Sequence, residues 1–193
     1  MSQYHYSSLS PGAYSIRLLR LMPNDLNSPE KTDIHCELFE YSLNDIGTRN
    51  HLYEALSYTW GGDKKPYSIT VGEQNLNVTQ NLHAALLRLR DCSLERIIWV
   101  DAICINQKDP KERGQQVQRM AQIYSKAARV LVWLGDTAPD CDTALEIIRI
   151  AAEDKMTAYS NDKEIQPTIF ALLGREWFQR IWVSRYYPLY ANN

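Results

Sequence analysis

The amino-acid sequence predicts an α/β fold, with a mainly parallel central sheet flanked by helices and an antiparallel strand and hairpin region near the amino terminus. Two observations support this prediction. In the middle of the chain, short apolar runs alternate with amphipathic helical patterns, which is typical of parallel strands joined by helical crossovers. Before residue 79, strand-like runs follow one another with no helical pattern between them, as antiparallel strands do.

The amino-terminal part of the chain predicts strands after a short disordered segment. Residues 1–12 are polar and rich in Ser, and we expect them to be disordered. The strand-like runs that follow are residues 14–21, 34–43 and 51–60 and the hairpin-like run 67–78. The hairpin is expected to turn at Gly72 and Glu73.

Two amphipathic helices are predicted next. The first begins at Thr79 and carries leucines at helical spacing. The second has the clearest start signal in the chain, because Asp109 suits the N-cap, Pro110 suits the first helical position and Glu112 completes a capping-box spacing. Its inward-facing stripe is predicted to be Val117, Met120, Tyr124 and Ala127.

Two apolar runs flank the second helix. Residues 97–105 are almost continuously apolar except for Asp101, which predicts a strand buried on both faces. Residues 130–134 predict another buried strand. A third helix is expected over residues 143–159, before a short apolar segment at residues 168–183.

The composition excludes several classes of protein. The 21 Lys and Arg residues nearly balance the 23 Asp and Glu residues, so the net charge of −2 gives no reason to expect a nucleic-acid partner. No apolar run approaches the roughly 20 residues of a membrane span. The amino terminus lacks the apolar core of a secretory signal. We therefore expect a soluble cytoplasmic protein.

The sequence gives no signal for a metal or a bound cofactor. The four cysteines and four histidines show no metal-ligand spacing, so no metal is predicted. The dinucleotide fingerprint, the phosphate-binding P-loop and the nucleophile elbow are all absent from the chain. No bound cofactor is expected.

Asp101 is the first candidate functional residue. A carboxylate that follows four apolar strand residues is costly unless it is hydrogen-bonded or lies at the mouth of the sheet. One interpretation is structural, with Asp101 capping backbone amides or pairing with Arg113. The other is a ligand-contacting acid at the carboxyl edge of the sheet, where ligands of α/β proteins bind.

A polar cluster follows the same apolar run. Its members are Asn106, Gln107, Glu112, Arg113 and Gln116. The start of the second helix offers backbone N–H groups and a partial positive charge, which suits an anion such as phosphate. Equally, Asp109 and Glu112 could cap their own helix while Asn106 stabilises the turn.

A second candidate region lies where residues 51–60 end. Ser57, Tyr58 and Trp60 lie next to Gly61 and a second glycine, and glycines permit close approach of the backbone to a ligand. The same glycines could simply form the turn. Trp60 is the tryptophan expected to face a ligand or partner.

Five segments resemble one known family. They are residues 53–63, 81–90, 98–107, 112–135 and 177–183. Together they closely resemble the HET domain, the heterokaryon incompatibility domain of filamentous fungi. The resemblance implies a role in non-self recognition, in which such domains trigger programmed cell death after incompatible fusion. It also implies a signalling module that self-associates or binds a protein partner.

HET domains are in turn distantly similar to Toll/interleukin receptor (TIR) domains, so a TIR-like fold is implied. Leu56-Ser57-Tyr58 resembles the first strand of TIR domains, and Asp101 resembles an aspartate after a later strand. Some TIR domains hydrolyse NAD with a glutamate, which implies a nucleotide ligand and NAD as substrate.

The present chain departs from the family pattern at its end. HET domains continue W-V-x-Q-E, whereas Tyr186 stands here in the glutamate position. Tyrosine cannot replace a carboxylate in catalysis. A TIR-like NAD hydrolase is therefore an alternative for full-length relatives, and this chain is expected to be inactive as one. A degenerate remnant is a further alternative. We predict a HET domain over residues 13–185, with core motifs at 53–135, and an irregular, truncated tail at 186–193.

Overall fold

The chain divides into two compact units, residues 1–133 and 134–193. The computed structural model describes residues 2–10, 14–24, 33–44, 52–136, 141–152 and 165–179. Each unit is taken by itself below.

A mixed sheet of seven strands is the central element of the described part of the first unit. The strands are β1 (Ser15–Leu21), β2 (His35–Ser42), β3 (Glu54–Tyr58), β4 (Tyr67–Val71), β5 (Gln74–Val78), β6 (Arg96–Trp99) and β7 (Arg129–Trp133). Their order across the sheet is β5-β4-β2-β1-β6-β3-β7. The hairpin of β4 and β5 forms as predicted, with Ile69 opposite Leu76.

The direction of the central strand makes the sheet mixed. β6, β3 and β7 run parallel, as do β2 and β4, whereas β1 is antiparallel to both of its neighbours. Our prediction of a mainly parallel sheet is therefore wrong. The amino-terminal strands do not form a separate region but join the same sheet. β1 can occupy its centre because all but one of its residues are buried.

Three helices accompany this sheet. They are α1 (Gln80–Leu89), α2 (Asp101–Cys104) and α3 (Pro110–Lys126). Asp109 is the N-cap of α3, as predicted, and its carboxylate accepts from the backbone N–H groups of Lys111 and Glu112 at 2.9 and 3.2 Å. Thr79 caps α1 in the same way.

The buried face of α3 differs from the predicted stripe. Gln116 and Ile123 are buried, whereas Val117 is 53% exposed. A polar side chain can take an inward position because the Gln116 amide donates to the Ser15 carbonyl at 3.0 Å. An apolar pattern alone could not identify Gln116 as an inward-facing residue.

The apolar run at residues 97–105 is not one strand. β6 ends at Trp99, and Asp101 begins the single helical turn α2. Ile103 and Cys104 are buried in this turn, which explains why the run is apolar. Periodicity cannot distinguish a short buried strand from a buried helical turn.

The predicted burial of residues 130–134 is also wrong. β7 lies at one edge of the sheet, where Val130 and Val132 are 46% and 39% exposed. Trp99, by contrast, is fully buried on the central strands and meets the Tyr124 ring of α3 edge-on, with ring centroids 5.5 Å apart.

The composition of residues 1–12 predicts disorder, whereas residues 2–10 form an extended segment with defined partners. We call residues 2–10 the arm. Gln3 pairs with Asn75 of β5 in a parallel bridge, and the Tyr6 hydroxyl donates to the Ile103 carbonyl of α2 at 2.8 Å.

The second unit is helical in its described residues. It contains α4 (Cys141–Ala152), α5 (Ile165–Leu173) and a 3-10 helix (Glu176–Gln179). The Arg175 guanidinium donates to the Leu134 carbonyl at 2.8 Å, tying the last turn to the start of this unit. Residues 153–159 of the predicted helix, the predicted tail at 186–193 and Tyr186 lie outside the described residues.

His83 of α1 is a buried histidine that lies outside the predicted sites. Its ring is 9% exposed and stacks on Tyr67, with centroids 4.5 Å apart. Burial, with a smaller contribution from the Arg90 charge, lowers the pKa of His83 below its ordinary value of 6.5.

The unfolded chain therefore binds a proton at His83 more readily than the folded chain does. We expect the free energy of unfolding to fall as the pH drops below 6.5, and to level off only below the folded-state pKa. Urea unfolding between pH 7.5 and 5 should show a shallower decline in His83→Gln than in the wild type. The exposed His35→Gln variant is the control. If the free energy of unfolding declined equally with pH in the wild type and in His83→Gln, His83 would not be the cause of the decline.

Candidate functional site

The carboxyl ends of the parallel strands β6, β3 and β7 gather a set of polar and aromatic side chains. Trp60 follows β3, Asp101 follows β6 and Trp133 ends β7. This is the edge at which α/β proteins bind ligands. We call the set the strand-end cluster; it consists of Thr59, Trp60, Asn81, Asp101, Gln107 and Trp133.

Asp101 connects the ends of β3 and β6. Its carboxylate accepts from the Trp60 indole N–H at 3.1 Å and from the Ala102 backbone N–H at 2.7 Å. Its own carbonyl accepts from the Gln107 side chain at 2.8 Å. The amide-capping part of the structural interpretation is confirmed. The pairing with Arg113 is not observed: Arg113 is exposed and has no ion pair with any residue that the structure describes.

Asn81 connects the ends of β3 and β7. Its amide nitrogen donates to the Thr59 carbonyl at 2.6 Å, and its oxygen accepts from the Trp133 indole at 2.8 Å. Gly61 allows this arrangement, since it has a φ of 71° and a Cβ there would lie 3.4 Å from the Asn81 Cβ. The three strand ends are thus held together by side chains of the strands and helices around them.

A second cluster surrounds a buried ion pair. Arg17 of β1 is 4% exposed, and its guanidinium donates to both oxygens of Glu112 at 2.6 and 3.0 Å. Burial opposes the charge on Arg17, but the hydrogen bond and charge of Glu112 outweigh it and raise the Arg17 pKa. We call Tyr6, Arg17, Asn106, Glu112 and Gln116 the arginine cluster.

The remaining polar groups of the ion pair are also bonded. Arg17 donates to the carbonyls of Cys104 and Ser7 at 3.2 and 2.5 Å, and the Tyr6 ring lies 5.1 Å from its guanidinium carbon. Glu112 accepts a further bond from the Asn106 backbone N–H at 2.7 Å. The cluster therefore joins β1, α2, α3 and the arm.

A polar groove adjoins the arginine cluster. It has a volume of about 370 Å³ and lies between the arm and the start of α3. Asn106, Glu112 and Gln116 line it together with serines of the arm and the side chains of Lys111 and Arg119.

The structure separates the predicted site residues into groups. Trp60, Gly61, Asp101 and Gln107 meet at the strand ends, whereas the arginine cluster holds Asn106, Glu112 and Gln116. Ser57 and Tyr58 are each 2% exposed and lie within β3. Arg113 joins neither group.

Five members of these clusters are absent from the predicted site residues: Tyr6, Arg17, Thr59, Asn81 and Trp133. Arg17 had a detectable signal, since a charge inside the apolar run of residues 14–21 requires a partner. Asn81 and Tyr6 had none. Their importance depends on strand ends and an arm whose positions only the tertiary fold defines.

Cys104 cannot serve as a nucleophile in this state. It is 1% exposed, and burial raises the pKa of its thiol to about 12. Among the described residues, no group of three or more His, Cys, Asp or Glu side chains is arranged to hold a metal ion. Over the same residues, no helix is long and apolar enough to cross a membrane.

The fold and the two clusters together define an α/β protein. The residues of its sequence motifs connect the ends of strands with the starts of helices. The model of the heterokaryon incompatibility protein (HET) family matches residues 53–185, so the chain belongs to the HET family. It is 31% identical over 158 residues to heterokaryon incompatibility protein 6, OR allele, of Neurospora crassa. That match covers 75% of this chain and 22% of the relative. No solved structure matches the chain, and the likeness to TIR domains stays a prediction.

Replacing Glu112 by Gln should destabilise the protein strongly, because the buried Arg17 charge would lose its counter-ion. We expect the free energy of unfolding to fall by about 3 to 5 kcal/mol, measured by urea unfolding. The neighbouring exposed Arg113→Gln variant is the matched control and should change stability by less than about 0.5 kcal/mol.

The double variant Arg17→Met/Glu112→Leu distinguishes the cost of an uncompensated charge from the cost of lost packing. It removes both charges together, so it should be more stable than Glu112→Gln alone. A double variant at least as unstable as Glu112→Gln would contradict the uncompensated charge as the cause.

Proposed function

We propose that this chain is the HET module of a protein that acts in fungal heterokaryon incompatibility and signals programmed cell death after non-self recognition. It acts in the cytoplasm by self-association or by binding a protein partner. Membership of the HET family and the similarity to an incompatibility protein of Neurospora crassa support this proposal. The chain spans about a fifth of that relative's length, so the module is one part of the function that the relative's name describes.

One observation favours signalling over catalysis in this chain. The polar groups of the family motifs are engaged in internal bonds: Asp101 with Trp60 and Ala102, and Glu112 with Arg17. A catalytic acid or base must reach the reacting atoms of a substrate. Asp101 and Glu112 would have to leave their partners to do so, and release of Glu112 would leave Arg17 buried without its counter-ion.

The alternative is a TIR-like enzyme that cleaves NAD. It is favoured by the position of Trp60, Asp101 and Gln107 at the carboxyl edge of the parallel strands, where nucleotides bind in many α/β proteins. A degenerate remnant with the fold alone is the third candidate. Both alternatives differ from the signalling module in measurable ways.

In a longer HET protein that kills fungal cells, replacing the residue equivalent to Asp101 by Ala should abolish killing. The change removes the acceptor that holds Trp60 and the start of α2, so the surface built on the strand ends is altered. Cell viability after induced expression is the measurement, with immunoblots for abundance. The exposed Asp63→Ala change in the same region is the control, and full killing by Asp101→Ala at normal abundance would reject the role of this cluster.

Nicotinamide release from NAD by the purified chain tests the enzymatic alternative. We expect no turnover in the wild type and none in Arg185→Gln/Tyr186→Glu, which restores the family pattern at the end of the chain. Turnover in the restored variant that disappears with Asp101→Ala would instead support an NAD hydrolase. Circular dichroism of each variant verifies that it is folded.

A further inference from the structure

The arm pairs with the outer edge of β5 through one parallel bridge between Gln3 and Asn75. The Tyr4 N–H donates to the Asn75 carbonyl, and the Asn75 N–H donates to the Ser2 carbonyl, both at 2.8 Å. The Gln74 side chain accepts from the His5 N–H at 3.2 Å. β5 is an edge strand of the sheet, so the arm satisfies backbone groups that the sheet leaves unpaired.

The side chain of Tyr6 anchors the next part of the arm. Its hydroxyl donates to Ile103 of α2, its ring lies beside the Arg17 guanidinium, and Tyr4 packs edge-on against it with centroids 5.0 Å apart. Burial raises the pKa of Tyr6, so the hydroxyl stays a donor. Further along, Glu40 accepts from the Ser10 N–H at 3.0 Å.

Backbone hydrogen bonds and the partly buried side chains of Tyr4 and Tyr6 hold the arm. Its exposed residues are Ser2, Gln3, His5, Ser7, Ser8 and Ser10. The contacts resemble those of a bound peptide that adds a strand to a sheet edge and places one aromatic side chain in a pocket. We call the surface it occupies, formed by Arg17, Glu40, Gln74, Asn75 and Ile103, the arm site.

We propose that the arm site is a self-association surface, which the arm of a second copy of this chain occupies by exchange. This deepens the proposed function and rests on its self-association. A second copy carries the same donors, acceptors and tyrosine, so the exchanged dimer makes every contact of the closed monomer. The chain's own arm competes with the arm of a second copy, and its effective concentration is on the order of millimolar for a short link. Exchange therefore increases with protein concentration.

Two variants of the full chain, each with one added cysteine, test this proposal. Gln3→Cys and Asn75→Cys are made separately, each with Cys92→Ser and Cys141→Ser, so that the buried Cys36 and Cys104 are the native thiols that remain. The two variants are mixed before oxidation with oxidised glutathione. Residues 3 and 75 face each other in the bridge, within the range of a disulfide. Arm exchange brings residues 3 and 75 of different copies together, so the mixture should contain more cross-linked dimer than either variant oxidised alone.

We expect a cross-linked heterodimer on a non-reducing gel, in an amount that increases with protein concentration. Adding Tyr6→Ala to the Gln3→Cys chain should make the heterodimer form more than about tenfold faster, because the arm then leaves its own site without breaking the contacts of its aromatic anchor, whereas the closed and exchanged states lose those contacts equally. Adding His5→Ala should leave this rate unchanged, since His5 contributes a backbone bond. A Gln3→Cys/Asn75→Cys double variant should form the disulfide within one chain at low concentration.

Other results overturn the proposal in distinguishable ways. A double variant that cross-links within its chain, with no heterodimer in the mixture at any concentration, shows an arm that only closes its own chain. Absence of a disulfide in the double variant as well shows that the arm does not occupy the arm site. Dimers seen by light scattering without cross-linking reject arm exchange but leave self-association, and so the proposed function, standing.

Discussion

The buried ion pair between Arg17 and Glu112 is the interaction on which the arrangement of the first unit depends. Transferring a charged group from water to the protein interior costs several kcal/mol. A buried ion pair offsets this cost only when its remaining donors and acceptors are also hydrogen-bonded. Here the carbonyls of Cys104 and Ser7 and the N–H of Asn106 complete the shell. Because these groups come from different elements, the pair fixes the positions of α2, α3 and the arm relative to β1.

The strand-end cluster depends on that positioning. Asp101 begins α2, and Arg17 binds the carbonyl of Cys104 at its last residue, so a single helical turn connects the two clusters. Trp60 then adds the end of β3, and Asn81 adds the end of β7. In this arrangement the strand-end cluster and the arginine cluster are connected through α2. These internal bonds support the proposed signalling module.

The sequence predicted local features better than long-range ones. The Asp109 cap and the hairpin of β4 and β5 follow from side chains within a few residues of each other, and both were predicted with their residues. The antiparallel direction of β1 relative to β2 was predicted, but its position beside β6 at the centre of the sheet was not, because that position depends on partners such as Ile98 that are distant in sequence. The inward position of Gln116 depends on a carbonyl of β1, 101 residues away. The two clusters could be predicted only in part for the same reason. Asp101 and Trp60 lie next to apolar runs and glycines in the sequence, whereas Asn81 and Tyr6 acquire their partners only in the folded chain.

The arm extends this network to the surface. Tyr6 binds Ile103, two residues after Asp101, and also contacts the Arg17 side chain that binds Glu112. Release of the arm would therefore remove one hydrogen bond from α2 and two contacts from Arg17, at the point where the two clusters meet. The arm itself is held by backbone bonds at an edge strand and by the partly buried side chains of Tyr4 and Tyr6. Binding at the edge of β5 and the geometry of the strand ends are thus connected through one helical turn and one buried charge.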